Sequence, residues 1–316
     1  MALIAIALAC LAFFLRQAVD VFGRVSLADA LARPWQVATC FVLSVAWIGV
    51  MTLFWDWSIR RVFGCGQLSW ADTFSAFTRS YIARYVPGKI WIIATRIEPL
   101  NRKGAPSAKI VSASAFEQIS IAVGTFPPAI LLLFAFLNSN TFAGTRAQPD
   151  AWLTASLVAI AVFVAGSIIA ALLARPVRAW LGARFKGADA WVPDVTPPNM
   201  AWGLAGGVGI SLLQAANVLP LVPMDRGLGV MELAAVCLAY PTARVIGQLG
   251  SFSPAGLGVR EGAFVLLTTS FVGADAAVVV AVWMRAISVV AEAVMYGAGA
   301  AVQWRSEKNA PQNAAS

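Results

Sequence analysis

Apolar residues run along this chain in long, nearly uncharged blocks, at 35–55, 110–137, 151–174, 201–222 and 276–304, with polar positions gathered between them. Each block reaches the roughly 20 residues that a helix needs to cross a bilayer. A shorter block at 2–15 has no basic residue ahead of it and no convincing small-residue cleavage site close behind, so it reads as an uncleaved first helix. Two further apolar regions, 70–97 and 231–272, are broken by Pro and Gly beside charged residues, at 84–89 and 253–261. In hydrocarbon a broken helix leaves N–H and C=O groups without partners, so such breaks persist only where protein or a water-lined cavity satisfies them. Two breaks in corresponding places of two halves point to a transporter's binding site.

The basic residues order these elements. Arg60 and Arg61; Arg96, Arg102, Lys103 and Lys109; Arg175, Arg178, Arg184 and Lys186; and Arg305 and Lys308 mark four rich connections. Arg146 and Arg226 stand alone in poorer ones, while Arg16, Arg24 and Arg33 share theirs with Asp20 and Asp29. The positive-inside rule puts the rich connections and both termini in the cytoplasm. That assignment requires each broken region to dip in and return to its own side, as a re-entrant hairpin; 90–97 is too short to span and 262–272 is marginal. The fold class expected is therefore an all-α integral membrane protein, a polytopic helical bundle with two re-entrant hairpins in an inverted-topology repeat. Repeat one covers about 1–137 and repeat two about 151–304, with a polar linker at 182–199 and a disordered tail at 306–316. The alternative is that every arm crosses, giving eight to ten helices without symmetry.

Composition narrows the function classes. With 59% hydrophobic and 12% charged residues and a mean hydropathy of +0.76, the chain is too apolar for an ordinary soluble domain. The net charge of +8 is spread between apolar spans and reads as topology signals and contacts to anionic lipid, rather than nucleic-acid binding. Cys10, Cys40, Cys65 and Cys237 lack paired spacing, so neither a disulfide frame nor a zinc site is expected. The chain contains no histidine, which excludes histidine-dependent chemistry. No metal or cofactor is expected.

The chemistry concentrates at the breaks. In the second, Pro254 has no N–H, Gly256 and Gly258 tolerate positive φ and close approach, and a helix begins near Val259 whose N-terminal N–H groups suit a phosphate or carboxylate. Arg260 adds a charged fork for the same anion, and Glu261 either joins the site or complements the helix dipole. In the first, Arg84 and Lys89 flank the Pro87-Gly88 turn, as an anion site or as headgroup anchors; Arg79, a turn or more upstream, reads as an anchor. Glu117 and Glu292 lie within apolar spans, each in the helix after a break, and serve either as a proton or substrate relay or as ion-pair partners, for example Glu292 with Arg285. Gln118, Gln214, Asn217 and Gln248 read as interhelical hydrogen bonders, and Gly203, Gly206, Gly207 and Gly209 as a close-packing stripe. Trp35, Trp55, Trp57, Trp70, Trp152, Trp202 and Trp304 lie near span ends and read as an interfacial belt.

The run Gln248 to Phe264, centred on Ser-Pro-Ala-Gly-Leu-Gly-Val-Arg-Glu-Gly-Ala-Phe, resembles the signature of the lysylphosphatidylglycerol synthase transmembrane, flippase-like family. The run Arg-Tyr-Val-Pro-Gly-Lys-Ile-Trp at 84–91 and the Glu117 helix match its first-half pattern. Ala255 between Pro254 and Gly256 departs from the Pro-Gly that many members have. The resemblance implies a bacterial inner-membrane protein, a stand-alone member without the aminoacyl-transferase domain and not itself an enzyme. It implies that Arg84, Lys89, Glu117, Arg260, Glu261 and Glu292 line a lipid headgroup path. The expected function is a flippase for an anionic phospholipid or a polyprenyl-phosphate-linked lipid. The alternative is a membrane partner that binds such a lipid and presents it to a glycosyltransferase or lipid-modifying enzyme. Expected partners are membrane lipids with anionic headgroups, and no nucleic acid.

Overall fold

The computed structural model describes residues 34–85, 90–137, 196–224, 227–249, 256 and 258–308. The expected helix at 2–15, the span at 151–174, Lys89, Pro254 and nearly all of the 182–199 linker lie outside these residues. Among the described residues every regular element is helical. In chain order they are α1 (Pro34–Trp57), α2 (Trp70–Ile82), α3 (Ile90–Asn101), α4 (Ser107–Gly124), α5 (Phe126–Leu137), α6 (Pro197–Val218), α7 (Val230–Leu249), α8 (Val259–Val272) and α9 (Ala274–Lys308). Five stretches are long and apolar enough to cross a membrane: Pro34–Val62, Ser107–Ala135, Pro197–Leu221, Val230–Gln248 and Ala274–Lys308. The chain is thus an all-α polytopic membrane protein.

Local chemistry sets the boundaries. Ser69 accepts from the Asp72 N–H while Asp72 reaches back to the Ser69 N–H, a reciprocal cap that starts α2. Thr196 caps α6, and prolines occupy the first turn, where a missing N–H costs nothing. The linker therefore ends sooner than its polar composition suggests, because Pro197 and Asn199 already belong to α6. Likewise the tail is helical through Lys308, α9 running past its last apolar residues. The span expected at 110–137 is two helices, broken at Thr125 before Pro127 and Pro128. The Thr125 hydroxyl bonds the Ile121 carbonyl at 2.8 Å and shares a 2.8 Å bond with Ser211 Oγ of α6, which fixes the bend.

Two hairpins enter the bundle from opposite ends. The roots of the first touch: Lys103 pairs with Asp72 at 3.5 Å and the Gln67 amide donates to the Gly104 carbonyl at 3.2 Å. From there α2 runs antiparallel to α9, with Ser75 and Thr78 against Gly299, Arg79 donating to Gln303, and Arg84 at Glu292. Its arms have 13 and 12 residues, about 20 Å each, short of a ~30 Å hydrocarbon core. In the second hairpin α7 and α8 also pack antiparallel, Tyr240 edge-on to Phe264 and Gly247 against Arg260. Its root lies at Gly273, the start of α9. It is less even than the first: α8 has 14 residues, but α7 has 20, continues through Pro241, and is long enough to cross.

Packing between halves has an exchange pattern. α2 packs on α9, as α7 packs on α5; α4 packs on α6, as α9 packs on α1. One close crossing is α4 on α6, where Gly124 and Gly207 lie backbone to backbone and Gly203 sits under Phe116. The expected small-residue stripe thus packs as read at Gly203, Gly206 and Gly207, while Gly209 faces open space. Asn217 does bond across helices, its amide donating to Ser44 Oγ at 2.8 Å; Gln118 bonds its own neighbour Glu117.

Two sequence assignments change. Trp35, Trp70, Trp202 and Trp304 are exposed as a belt requires, but Trp55 is fully buried and Trp57 packs on Phe54 and Phe116. Arg96 is no loop marker: it is 1% exposed, inside the bundle, because a buried carboxylate holds it. Cys65, buried beyond the end of the first span, has its thiol pushed above the ordinary range by burial, with the Lys109 ammonium pulling weakly the other way.

Candidate functional site

The described ends of the two hairpins, at Arg84–Tyr85 and Gly258–Glu261, meet beside the middle of α9. From the first tip, Arg84 pairs with Glu292 Oε1 at 2.8 Å and the Tyr85 hydroxyl donates to Glu292 Oε2 at 2.8 Å. From the second, Arg260 donates to Glu261 Oε1 through Nε at 3.1 Å and Nη2 at 2.8 Å, and Arg285 lies 3.7 Å from the same oxygen. The other Glu261 oxygen accepts the Gly258 N–H at 2.9 Å. Glu261 therefore both caps α8 and takes part in the charge cluster, and its carboxylate occupies one of the N–H groups read as free for an anion. Gly258, at φ +79°, makes this turn, and Gly256, at φ +69°, sits against the Gly247 carbonyl.

A fourth guanidinium completes the cluster. Arg244 of α7 is 8% exposed, stacks 4.2 Å from the Trp47 ring centroid and donates to the Tyr81 hydroxyl at 3.2 Å. Rings line the others too: Arg84 lies 4.6 Å from Tyr81, Arg285 5.3 Å from Tyr85, and Arg260 5.6 Å from Tyr240. Such faces offset part of a cation's desolvation without neutralising it.

Elsewhere in the bundle, Arg96 pairs with Glu117 at 2.8 Å, bonds Ser80 Oγ at 2.8 Å and Ser114 Oγ at 3.2 Å, and is sandwiched 4.7 Å from both Trp55 and Phe77. Arg96 and Glu117 are 1% and 0% exposed. With its charge matched and Nε and Nη1 both bonded, this unit pins the first hairpin to α4. A groove of about 510 Å³ opens beside that hairpin, between α2, α3 and α9, lined among others by Arg79, Thr95, Glu98, Tyr296 and Gln303. Arg79 is exposed there and donates to Gln303.

A comparison of the sequence with known families matches residues 1–294 to the lysylphosphatidylglycerol synthase TM region. The chain belongs to this family. The match extends two residues past Glu292, so every residue of the cluster lies inside the family region. A search of curated proteins finds no match. Membership in the lysylphosphatidylglycerol synthase TM region family makes a lipid-related membrane role the general function of the chain. Of the residues the sequence singled out, Arg84, Gly258, Arg260, Glu261 and Glu292 come together, with Gly256 on the adjoining turn. Glu117 sits in its own closed pair, and Lys89 lies outside the described residues. Glu292 meets Arg84 rather than Arg285, its neighbour two turns earlier on α9, which lies by Glu261 instead. Reasoning from sequence missed Arg244 and Tyr85. An arginine three residues after a proline in an apolar stretch was the available signal for the first.

Proposed function

We propose that the chain is a lipid transporter, which carries a lipid with an anionic headgroup between leaflets. The guanidinium cluster holds the headgroup and the acyl or prenyl chains stay in the bilayer. The observation that carries this reading is the Arg84–Glu292 pair at 2.8 Å, which joins the first hairpin tip to the last helix inside the bundle, beside the Arg260–Glu261 tip of the second. Ionisable groups at that depth cost a few kcal/mol or more and are functional by default. Hairpins rooted at opposite ends and the exchange pattern of packing support an inverted-topology repeat, in which one half rocks against the other. Arg102 and Lys103 lie at the root of the first hairpin and Arg305 and Lys308 in the last turn of α9, which favours a cytoplasmic side there and a cytoplasmic C-terminus in a bacterial inner membrane.

In proteoliposomes, a fluorescent anionic phospholipid is expected to become accessible to dithionite faster with the protein than without it. Arg260→Ala and Glu292→Ala are each expected to slow that rate at least about tenfold, the cost of one buried charge contact. Unchanged rates in both variants sink the transporter reading. Zero translocation with retained lipid binding and a co-purifying stoichiometric enzyme would instead identify a presenting partner.

Topology has its own test. Cys40, Cys65 and Cys237 are free and buried, so with Cys10→Ser the background labelling by a polar maleimide is expected to be low. Single reporters Arg102→Cys and Met224→Cys, both at exposed positions, are expected to label from opposite faces. Labelling from the same face overturns the inverted repeat.

A further inference from the structure

The charge ledger of the central cluster does not close. Arg84, Arg244, Arg260 and Arg285 contribute four positive charges, and Glu261 and Glu292 two negative ones, so among the described residues the surplus is 4 − 2 = +2. Shared partners join the groups: Arg84 and Arg244 both meet Tyr81, Arg84 and Arg285 both face the Tyr85 ring, and Arg260 and Arg285 both approach Glu261 Oε1. Arg244 carries the surplus most plainly. Among the described residues it makes no ion pair with a carboxylate. Its N–H groups meet the Tyr81 oxygen at 3.2 Å and the Met51 sulfur at 3.8 Å, a weak acceptor.

Donors are in surplus as well as charge. Arg84 Nε and Arg285 Nη1 are buried and have no hydrogen-bond partner among the described residues; of the acceptors in the cluster only Glu292 Oε1, held by Arg84 as an ion pair at 2.8 Å, is in the same position. A guanidinium stays protonated even when buried, so neither can escape by losing its proton. Like-charged, under-bonded guanidinium groups held together in an apolar bundle favour an anion as their common partner.

We infer that the cluster is a site for a dianionic phosphate monoester, with Arg244 as a binding residue that discriminates it from a phosphate diester. This rests on the lipid-binding part of the function proposed above and deepens it. A monoester phosphate carries close to two charges and three terminal oxygens, which match a surplus of two and donors free on separate arginines. A diester carries one charge and two terminal oxygens, leaving one positive charge uncompensated. The ligand class is a lipid ending in a phosphate monoester, or free phosphate.

The test uses the purified full chain in detergent at pH 8, where the monoester is a dianion. Dioleoyl phosphatidic acid, dioleoyl phosphatidylglycerol and inorganic phosphate are titrated, with binding followed by thermal stabilisation. Phosphatidic acid is expected to bind at least about tenfold tighter than phosphatidylglycerol. Arg244→Met is expected to remove that preference and to leave the melting temperature without lipid unchanged or raised, because no carboxylate is orphaned by the substitution. A merely structural arginine would instead lower it. Arg244→Lys keeps the charge but not the fork, and is expected to retain part of the preference should the methionine variant fail to fold. Equal stabilisation by inorganic phosphate at matched concentration would support the dianion site and assign it to the free ion. Equal affinity for the two lipids, or a preference untouched by both Arg244 variants, overturns the inference. The two readings fail separately. Arg260-dependent translocation of phosphatidylglycerol at the phosphatidic acid rate overturns the dianion site and leaves transport standing. Selective phosphatidic acid binding without translocation does the reverse.

Discussion

Glu117→Gln is expected to cost about 3–5 kcal/mol of stability, the penalty for breaking one side of a buried ion pair. With the carboxylate replaced, Arg96 stays charged between Trp55 and Phe77, and its polar partners are all neutral: the Ser80 and Ser114 hydroxyls and an amide oxygen. The ring faces attract the cation, but at about 2 kcal/mol even when desolvated they do not replace the carboxylate. Thermal denaturation in detergent would read the loss as a large fall in melting temperature. Arg96→Met together with Glu117→Met is expected to recover most of it, since two apolar chains fill the same space without desolvating a charge. A fully stable Glu117→Gln protein with transport abolished would instead make Glu117 a working residue, and the relay reading would stand over the structural one.

Gly207→Val is expected to be comparably severe. A Cβ at Gly207 would overlap the Ser120 carbonyl oxygen, and one at Gly124 would overlap the backbone of Gly207 and Val208. Both obstacles are main-chain atoms of helices, which have no rotamer to change. The helices must move apart, breaking the Thr125–Ser211 bond that fixes the bend beside them. Overpacking of this kind costs about 3 kcal/mol or more, and small residues are the principal means by which membrane helices approach closely. Gly209→Val is the matched control, because nothing lies within 4 Å of a Cβ there. Melting temperatures of the two variants in detergent are expected to differ widely; similar values would mean that α4 and α6 do not cross at these glycines.

How far the fold was legible depends on what each signal encodes. Spans came through well because hydropathy and length are properties of contiguous residues: α1, α6 and α9 fall where the apolar blocks lie, and α8 starts at Val259, as the Gly-rich turn before it implies. The bend at Thr125 was legible only as two prolines inside a span. The site was half legible. Broken helices flagged Arg84, Arg260 and Glu261, since a charge beside Pro and Gly in an apolar run is a local anomaly. Pairing was not legible, because it depends on the rotation of each helix about its axis and on which helix lies opposite. Arg96 looked like one more cytoplasmic charge until Glu117 was found 2.8 Å away. Arg244 was passed over for the same reason: nothing near it in sequence marks it as lacking a counter-charge.

The length of α9 has a mechanical consequence. At 35 residues it is a rod of about 50 Å, longer than the ~30 Å hydrocarbon slab, and both hairpin tips rest near its midpoint, at Arg285 and Glu292. Seven positions apart is two turns, so both contacts share one face. A stiff rod tilted about its centre swings its ends in opposite directions and hardly shifts its middle. A tilt of ~10° would carry each end about 4 Å while Glu292 moves well under 1 Å. In the transporter proposed above, the same helix would act as a seesaw whose fulcrum is the charge cluster: widening the gap at one membrane face would narrow it at the other while the grip at the centre is kept.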